Sequence, residues 1–499
     1  MFYKKRIFWI ISGLVALSFC LGIFVTRAQQ SGNSVFESLS LFSQVLHLVQ
    51  TQYVEEVNPQ KLIYGAIKGM LASLDDPHTH FMEPQGYSDL QVETRGEFGG
   101  LGIEISIAPV TKQLMVIAPM EGTPADKAGI KAGDRIIEIE GKSTAGINIQ
   151  DAVQKLRGPK GTPVTITIER DGVEEPIKIT IVRDIIQLKA VKSKCLLSGD
   201  IGYLRIVTFN QHVGRELDEA MTSLEKNSMK GLIVDLRNNP GGLLEQAVEV
   251  SNKFLSEGLI VSTKGRVQPE IKFYARSGSA HKYVPLIILV NKGSASASEI
   301  VAGAVKDNKR GLILGTKTFG KGSVQTVINL EDGSGVALTT AKYYTPSGIC
   351  IHNIGISPDI EAEEEKEPED PEAFNVIRTL RQNNCITLYA KENTGVKPEE
   401  FRLDDTAMDT FMEIVGRKNA DLKRDKLNKY RYLIERDLRI ELASQKSKED
   451  GLKMSLSYDP VVRRALDMMK GVQLLTGVMS QDTAARSTRA ESQPAHIKQ

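Results

Sequence analysis

Gly231-Leu-Ile-Val-Asp-Leu-Arg-Asn-Asn-Pro-Gly-Gly242 is the stretch that determines the class of fold. Its first six residues read as an apolar strand buried on both faces, and the proline and glycines that follow end that strand before a helix predicted over 243–255. The same alternation continues on either side, with strands at 201–206, 286–290 and 312–314 and helices at 213–226 and 298–308. Buried strands that alternate with helices predict an α/β layered core over residues 185–360.

The segments around this core have different patterns. Helical apolar spacing covers 34–95, short strands separated by glycine turns cover 96–184, and an acidic linker followed by charge-rich helices covers 361–475. The last residues, 476–499, are polar and are predicted to be disordered. The chain of 499 residues is therefore expected to be an α+β multidomain protein with a β-rich domain inserted between helical and α/β parts.

Composition excludes several classes of function. Lysine and arginine total 63 against 62 acidic residues, so no excess of positive charge predicts a nucleic-acid partner. The four cysteines include no CxxC pair, which gives no sign of a zinc site or a disulfide framework. His78 and His80 form an HxH pair, but without a third ligand nearby a structural role is favoured. No metal or other cofactor is expected.

The N-terminal segment, residues 1–30, predicts contact with a membrane. Three basic residues at positions 4–6 precede the uncharged stretch 7–26, which as a helix is long enough to cross the hydrocarbon core. The positive charges indicate a cytoplasmic start, so the rest of the chain is expected on the periplasmic side of an inner membrane. The alternative is a cleaved signal peptide, which would send the chain to the same compartment.

The β-rich segment 96–184 resembles a PDZ domain. The likeness depends on Gly100-Leu-Gly-Ile103 and on Ala132-Gly-Asp-Arg-Ile-Ile137. It implies that the backbone of Gly100, Leu101, Gly102 and Ile103 holds the carboxylate of a peptide while the sheet edge pairs with its backbone. Arg157, after the helix at 148–156, is a candidate cation beside this groove. The alternatives are an ordinary β-rich domain and a solvated surface arginine.

Three segments at the strand ends of the α/β core carry candidate chemistry, because such folds place their sites there. Residues 235–242 include glycines whose amides can point outward. Residues 291–299, Asn-Lys-Gly-Ser-Ala-Ser-Ala-Ser-Glu, place serines at the start of a helix, where negative charge is favoured. Residues 315–325 contain Lys321 and Gln325, which an extended backbone would place on one face.

A serine needs a base before it acts as a nucleophile, and a lysine can be that base if burial lowers its pKa. His212, His281 and His352 lie in no distinctive motif. Two other interpretations must be weighed for these residues. Ser296-Ala-Ser-Glu299 fits a capping box, and Gly315-x4-Gly-Lys321 approximates a phosphate-binding loop. The second interpretation fails because Gly322 replaces the required Ser or Thr and a strand follows.

Taken together, the three segments resemble the signature blocks of the carboxyl-terminal processing peptidases, a serine protease family, over about residues 35–360. The resemblance implies that Ser296 is the nucleophile, Lys321 the base and Gln325 the residue that orients the lysine. It also implies oxyanion donors at Ala297 and at Gly241 or Gly242. The choice of Ser296 over Ser294 and Ser298 comes from the resemblance alone.

The function expected from this resemblance is that of a serine endopeptidase. Its PDZ-like domain would bind the C-termini of extracytoplasmic proteins, and its Ser–Lys dyad would cleave them through an acyl-enzyme. The helical region after 361 is outside the signature blocks and is expected to form a homo-oligomer or to bind an adaptor protein. The alternative class is an inert PDZ-type scaffold that binds peptides without cleaving them.

Overall fold

The computed structural model describes residues 35–108, 111–278, 281, 284–365, 370–418 and 420–471. The chain divides into two compact units, one formed by residues 1–87 with 326–339 and the other by residues 88–325 with 340–499. The predicted membrane segment 7–26 and the predicted disordered tail 476–499 lie outside the described residues. Within those described ranges, no helix has both the length and the apolar character needed to span a bilayer.

The smaller unit combines helices with antiparallel strands. Its first two helices cover 35–52 and Pro59–Ala72, and Asn58 caps the second by accepting the N–H groups of Gln60 and Lys61. Strand His80–Met82 pairs antiparallel with the start of strand Gly335–Tyr344. A strand therefore interrupts the region predicted as helical over 34–95, because this pairing buries Phe81 and Met82. Helix Pro84–Arg95 follows it.

The PDZ-like part of the larger unit is an antiparallel sheet with one helix packed on it. The strands, in spatial order, are Ile103–Ile107, Leu114–Pro119, Arg135–Ile139, Pro163–Glu169 and Ile177–Val182, and Lys142–Ser143 pairs with the third. Helix Ile149–Leu156 begins after Asn148, whose side chain accepts the Asp151 N–H. Leu101 and Gly102 separate two strands, and the first of them, Glu97–Gly100, pairs with Asp184–Gln187 outside this sheet.

The α/β core contains a six-stranded sheet. In spatial order its strands are Val191–Leu197, Ile201–Ile206, Gly231–Asp235, Leu286–Val290, Leu312–Gly315 and Ile360–Glu361. The first pair is antiparallel and all the others are parallel. This arrangement confirms the predicted α/β layers.

Different parts of the chain cover the two faces of this sheet. Helices Val213–Lys226, Leu244–Asn252 and Ala297–Asp307 cover one face and pack on side chains such as Leu232, Val234 and Ile288. The other face carries Ile233, Ile287 and Leu289, and it packs against Leu456, Val461, Val462, Ala465 and Met469. The last two helices of the region after 361 are therefore part of the core of the α/β domain, which the sequence pattern did not predict.

The remaining elements complete the larger unit. Strands Leu259–Gly265 and Ile271–Tyr274 form a hairpin, the first pairing with the end of Gly335–Tyr344. A short helix covers Pro124–Lys127, and strand Ser323–Asn329 follows the core. The C-terminal helices are Pro371–Gln382, Cys385–Glu392, Asp405–Arg417, Arg424–Lys429, Arg431–Lys446, Lys448–Tyr458 and 460–471. Most of them share a second hydrophobic core around Leu380, Phe411, Ile434 and Leu438.

Candidate active site

Three loops leave the core sheet at the carboxyl ends of neighbouring parallel strands. They are the glycine turn, residues 235–242; the serine turn, residues 291–299; and the lysine loop, residues 315–325. Their strands are adjacent in the order Gly231–Asp235, Leu286–Val290 and Leu312–Gly315. The structure therefore brings the three predicted segments together at one edge of the sheet.

The three serines of the serine turn have different surroundings. The Ser294 hydroxyl donates to the Leu236 carbonyl at 2.8 Å, and the Ser298 hydroxyl donates to the Asn239 carbonyl at 2.9 Å. Both hydroxyls thus fasten the serine turn to the glycine turn. The Ser296 hydroxyl donates to no carbonyl in the part of the chain that the structure describes. The structure thus adds a geometric reason for choosing Ser296 to the one given by resemblance.

Ser296 has a strained backbone at the start of helix Ala297–Asp307. Its φ of 54° and ψ of −113° are unusual for a residue with a side chain, and such conformations typically cost about 1–3 kcal/mol. The capping box predicted from the sequence is present, with the Ser296 N–H donating to the Glu299 carboxylate at 2.8 Å. The Glu299 N–H donates to the Ser296 carbonyl at 2.9 Å. Capping and a reactive Ser296 hydroxyl are therefore compatible.

Two backbone amides beside Ser296 have no acceptor within the described ranges: those of Gly242 and Ala297. The Gly241 amide, by contrast, donates to the Asn239 side chain at 2.9 Å. Asn239 is fully buried, and its amide group donates to the Ile206 carbonyl at 2.9 Å. Of the two glycines predicted as donors, Gly242 is therefore the one with a free N–H.

Gly241 lies directly against Ser296. A Cβ added to Gly241 would lie 2.8 Å from the Ser296 Cβ and 2.9 Å from the Ala297 nitrogen, closer than real contacts allow. The φ of Gly241 is +104°, which side chains rarely adopt. The glycine is required here because any side chain would fill the space in front of the Ala297 amide.

Glu299 connects the serine turn to the lysine loop. Its carboxylate is fully buried and accepts four hydrogen bonds, from the N–H groups of Ser296 (2.8 Å), Gly320 (2.7 Å) and Lys321 (2.9 Å) and from the Thr318 hydroxyl (2.6 Å). Burial raises the pKa of Glu299, and these hydrogen bonds partly oppose that rise. The sequence pattern indicates Glu299 only as half of a capping box. Its second role depends on a loop that folds around it.

The predicted placement of Lys321 and Gln325 on one strand face is wrong. Strand Ser323–Asn329 begins after the lysine, so Lys321 lies in the loop and only Gln325 in the strand. The cause is the turn at Gly320, with φ of +92°, which lets two successive amides reach Glu299. Lys321 and Gln325 are both half-buried, and Gln325 donates to the Ser323 hydroxyl at 2.8 Å.

A buried charge network lies at the base of the glycine turn. Asp235 accepts the Tyr203 hydroxyl at 2.8 Å and two guanidinium hydrogen bonds from Arg237, at 2.9 and 2.7 Å. Burial opposes the charge of Arg237, but its hydrogen bonds to Asp235 and then Asp459 outweigh burial and raise its pKa above the ordinary value. Both Asp235 and Arg237 lie in the glycine turn, but the sequence pattern predicts no role for either of them.

The predicted peptide-binding loop, residues 100–103, presents backbone N–H groups rather than side chains to a ligand. Leu101 is 2 % exposed and packs into the PDZ-like core, and a Cβ on Gly102 would clash with Thr123. The N–H groups of Leu101 and Gly102 have no acceptor among the described residues. Ile103 begins an edge strand that pairs with a neighbour on one side. This arrangement fits capture of a carboxylate followed by strand addition.

Arg157 lies next to this loop. Its guanidinium stacks 4.6 Å from the centre of the Phe98 ring and pairs with Asp89 at 3.1 Å. A half-buried, stacked and paired arginine differs from the solvated surface arginine that was the alternative interpretation.

The other candidate sites remain separate from this one. Among the described residues no group of three histidine, cysteine or acidic side chains is arranged to hold a metal ion. The segment 315–321 is followed by a strand and not by the helix that a phosphate-binding loop requires, which agrees with the rejection of that interpretation. In the described ranges no histidine forms a hydrogen bond with Ser296. His281 instead pairs with Glu225 at 2.6 Å.

Comparison with known families matches three parts of the chain. Residues 200–362 match peptidase family S41, residues 115–170 match the PDZ domain, and residues 23–86 match the N-terminal domain of the activating protease CtpB. The peptidase match contains all three loops of the site. The PDZ match confirms the likeness seen in the sequence.

Curated relatives agree with these matches, and a solved structure is similar to the chain in sequence. The chain is 44% identical to a carboxy-terminal-processing protease of Bartonella bacilliformis over 74% of this chain and 86% of that protein. It is 42% identical to a carboxyl-terminal-processing protease of Synechocystis over 62% and 74%. The solved photosystem II D1 C-terminal processing protease is 35% identical, with 66% and 95% covered and a TM-score of 0.39. This chain belongs to the carboxyl-terminal processing proteases, the PDZ-containing serine peptidases of family S41.

Proposed function

We propose that this chain is an endopeptidase in which Ser296 and Lys321 form the catalytic dyad. The observation that supports it most is the arrangement around Glu299, whose carboxylate binds the backbone N–H groups of both residues at 2.8 and 2.9 Å. One buried carboxylate thereby fixes the two halves of the dyad relative to each other.

In the proposed reaction Lys321, in its neutral form, takes the proton of the Ser296 hydroxyl as the oxygen attacks the scissile carbonyl. The amides of Gly242 and Ala297 donate to the oxyanion, since both lack another acceptor within the described ranges. The lysine then gives its proton to the leaving amine, and an acyl-enzyme remains on Ser296. Water, deprotonated by the same lysine, releases the acyl product and restores the serine. Gln325 orients the lysine.

Substrate selection is proposed to begin at the PDZ-like part. The free N–H groups of Leu101 and Gly102 would bind the terminal carboxylate of a protein substrate, and strand Ile103–Ile107 would pair with its backbone. Arg157, beside the loop, would add positive charge. The substrate class is therefore extracytoplasmic proteins with an accessible C-terminus.

The test is cleavage of an unfolded protein substrate by the full chain in detergent. We expect Ser296→Ala and Lys321→Ala each to lower kcat by several orders of magnitude without loss of fold, as judged by circular dichroism. Amidation of the substrate's C-terminus should raise KM. Binding with no turnover by the unaltered chain would instead support the inert scaffold, and cleavage by Ser296→Ala would refute the dyad.

Localisation and assembly are also proposed. Residues 7–26 would anchor the chain in the inner membrane with the catalytic part on the periplasmic side. The helical region after 361 would form a homo-oligomer or bind an adaptor, since Phe374 and Tyr432 are exposed on it. Protease accessibility in spheroplasts tests the first proposal, and sedimentation velocity of the purified chain tests the second.

A further inference from the structure

The buried arginine of the glycine turn has two further carboxylate partners from distant parts of the chain, Glu364 and Asp459. Its Nη1 lies 3.3 Å from the partly exposed Glu364. The Arg237 guanidinium donates to both oxygens of Asp459, at 2.7 and 3.3 Å, across a separation of 222 residues. Arg237 is 6 % exposed, so this ion pair is almost completely shielded from solvent on the arginine side. Asp459 lies outside the region that matches the peptidase family, which ends at residue 362.

Asp459 is held in place by the helix that it begins. Its Oδ1 accepts the N–H groups of Val461 and Val462 at 2.9 and 3.1 Å, so Asp459 is the N-cap of helix 460–471. The side chains of Val461 and Val462 are themselves fully buried under the core sheet. The docking of this helix therefore sets the position of the carboxylate that meets Arg237.

From Arg237 the contacts continue to the reacting groups. The next residue, Asn238, donates its N–H to the Asn291 side chain at 2.9 Å. Asn239 accepts the Ala295 N–H at 3.0 Å through its carbonyl and holds the Gly241 amide. Gly241 in turn lies against Ser296. The position of the Gly242 amide relative to Ser296 thus depends on how the start of the turn is held.

We propose that Asp459 is a positioning residue for catalysis, which fixes the glycine turn through Arg237 and so places an oxyanion donor. This inference rests on the proposed function, because it requires Gly242 and Ala297 to stabilise the oxyanion on Ser296. It assigns to the C-terminal helical region a part in the chemistry, since the active site is correctly formed only when helix 460–471 is docked. Loss of one oxyanion donor typically costs about 100- to 1,000-fold in kcat, so a displaced donor should cost about 10- to 100-fold.

Asp459→Asn is the substitution that separates this role from capping. Asparagine is as good an N-cap as aspartate, so the helix start is preserved while the Asp459 charge is removed from Arg237, which keeps Asp235 and Glu364 as partners. With the full chain and a peptide substrate, we expect kcat to fall about 10- to 100-fold while KM changes less than about threefold. Asp459→Ser, which also caps, should act in the same way, and Asp459→Glu, which keeps the carboxylate, should retain most of kcat.

Asp437→Asn is the matched control. Asp437 is more deeply buried than Asp459 and pairs with Arg381 at 2.6 Å, and among the described residues no hydrogen bond or ion pair joins it to the glycine turn. The Asp437→Asn variant should have the same kcat per folded molecule as the unaltered chain. Folded fraction is measured by circular dichroism at the assay temperature.

The outcomes distinguish failure of the positioning role of Asp459 from failure of the proposed function. If Asp459→Asn and Asp459→Ser keep full kcat per folded molecule, or if Asp437→Asn loses as much as they do, the positioning role is overturned and the dyad is untouched. If Ser296→Ala keeps activity in the same assay, the proposed function itself fails.

Discussion

Replacement of Glu299 by glutamine tests the connection between the two halves of the dyad. Glutamine has nearly the same shape as glutamate but replaces one acceptor oxygen with an NH2 group. If that group takes the Oε2 position, it faces two N–H donors, those of Ser296 and Lys321. If it takes the Oε1 position, it faces the Gly320 N–H and the Thr318 hydroxyl. The hydroxyl can rotate and accept a hydrogen bond from the NH2 group, so only the Gly320 N–H then faces another donor. The second orientation is therefore expected.

The expected loss in the free energy of unfolding follows from the number of hydrogen bonds that Glu299→Gln removes. In the second orientation one buried donor, the Gly320 N–H, loses its acceptor, which costs about 1–3 kcal/mol of the free energy of unfolding. The remaining bonds lose their charge assistance and weaken further. Glu299→Ala would leave three buried N–H groups without acceptors, at about 3–9 kcal/mol, which is comparable to the whole stability of a domain. Glutamine is therefore the informative change.

Two measurements check this prediction. Urea unfolding should show the loss of about 1–3 kcal/mol, and the kinetics should show kcat reduced at least about tenfold with KM little changed, because Lys321 is displaced from Ser296. The matched control is Glu216→Gln, since Glu216 is also buried and accepts two backbone N–H groups but lies away from the site. A Glu299→Gln enzyme with normal kcat would refute the idea that this carboxylate aligns the dyad.

The pH dependence of stability gives an independent check. The pKa of Glu299 is raised in the folded protein, so the folded state binds a proton more readily than the unfolded state does. The stabilisation from this group is fully present below its unfolded pKa and is lost as pH rises through the folded pKa. The difference in unfolding free energy between the unaltered chain and Glu299→Gln should therefore be larger at about pH 4 than at about pH 8.

Three further predictions concern the same core. Ser294→Ala and Ser298→Ala should each lower the unfolding free energy by about 1–3 kcal/mol while keeping measurable kcat, since their hydroxyls bind carbonyls. Activity as low as that of Ser296→Ala would contradict this. Gly241→Ala should abolish turnover, because its new Cβ would lie 2.8 Å from the Ser296 Cβ. Gly322→Ala should both impair turnover and lower the free energy of unfolding, because its new Cβ would lie 2.1 Å from the His352 nitrogen. Normal kinetics in both would be inconsistent with the geometry. Burial raises the pKa of Cys195 to about 12, so iodoacetamide at pH 8 should label it only after unfolding in urea, as peptide mass spectrometry can show.

Sequence pattern was sufficient for the elements whose signal is local. The apolar run 231–236 and the helix predicted over 213–226 appear as Gly231–Asp235 and Val213–Lys226, because buried strands and amphipathic helices carry their own periodicity. Strands with more polar residues, such as Val191–Leu197, were missed. Their apolar side chains alternate with lysines and a serine, and only the pairing partner determines the strand.

The site was predictable in its residues but less so in its geometry. The three loops could be placed at one sheet edge because each follows a predicted strand. The position of Lys321 could not, since it depends on how the loop turns at Gly320 around a carboxylate of another segment. The pairing of Arg237 with Asp459 joins residues that no local pattern relates.

Residues beyond the family match cover the second face of the core sheet, so the folded domain extends past that match. The family match ends at residue 362, yet Ile233, Ile287 and Leu289 are shielded by side chains from residues 456–469. A fragment that ended at the family boundary would expose this apolar layer to water, at a cost of about 25 cal/mol for each Å² uncovered. The region shared with the peptidase family is thus smaller than the region that must fold together, and the last helices belong to the protease as much as the serine does.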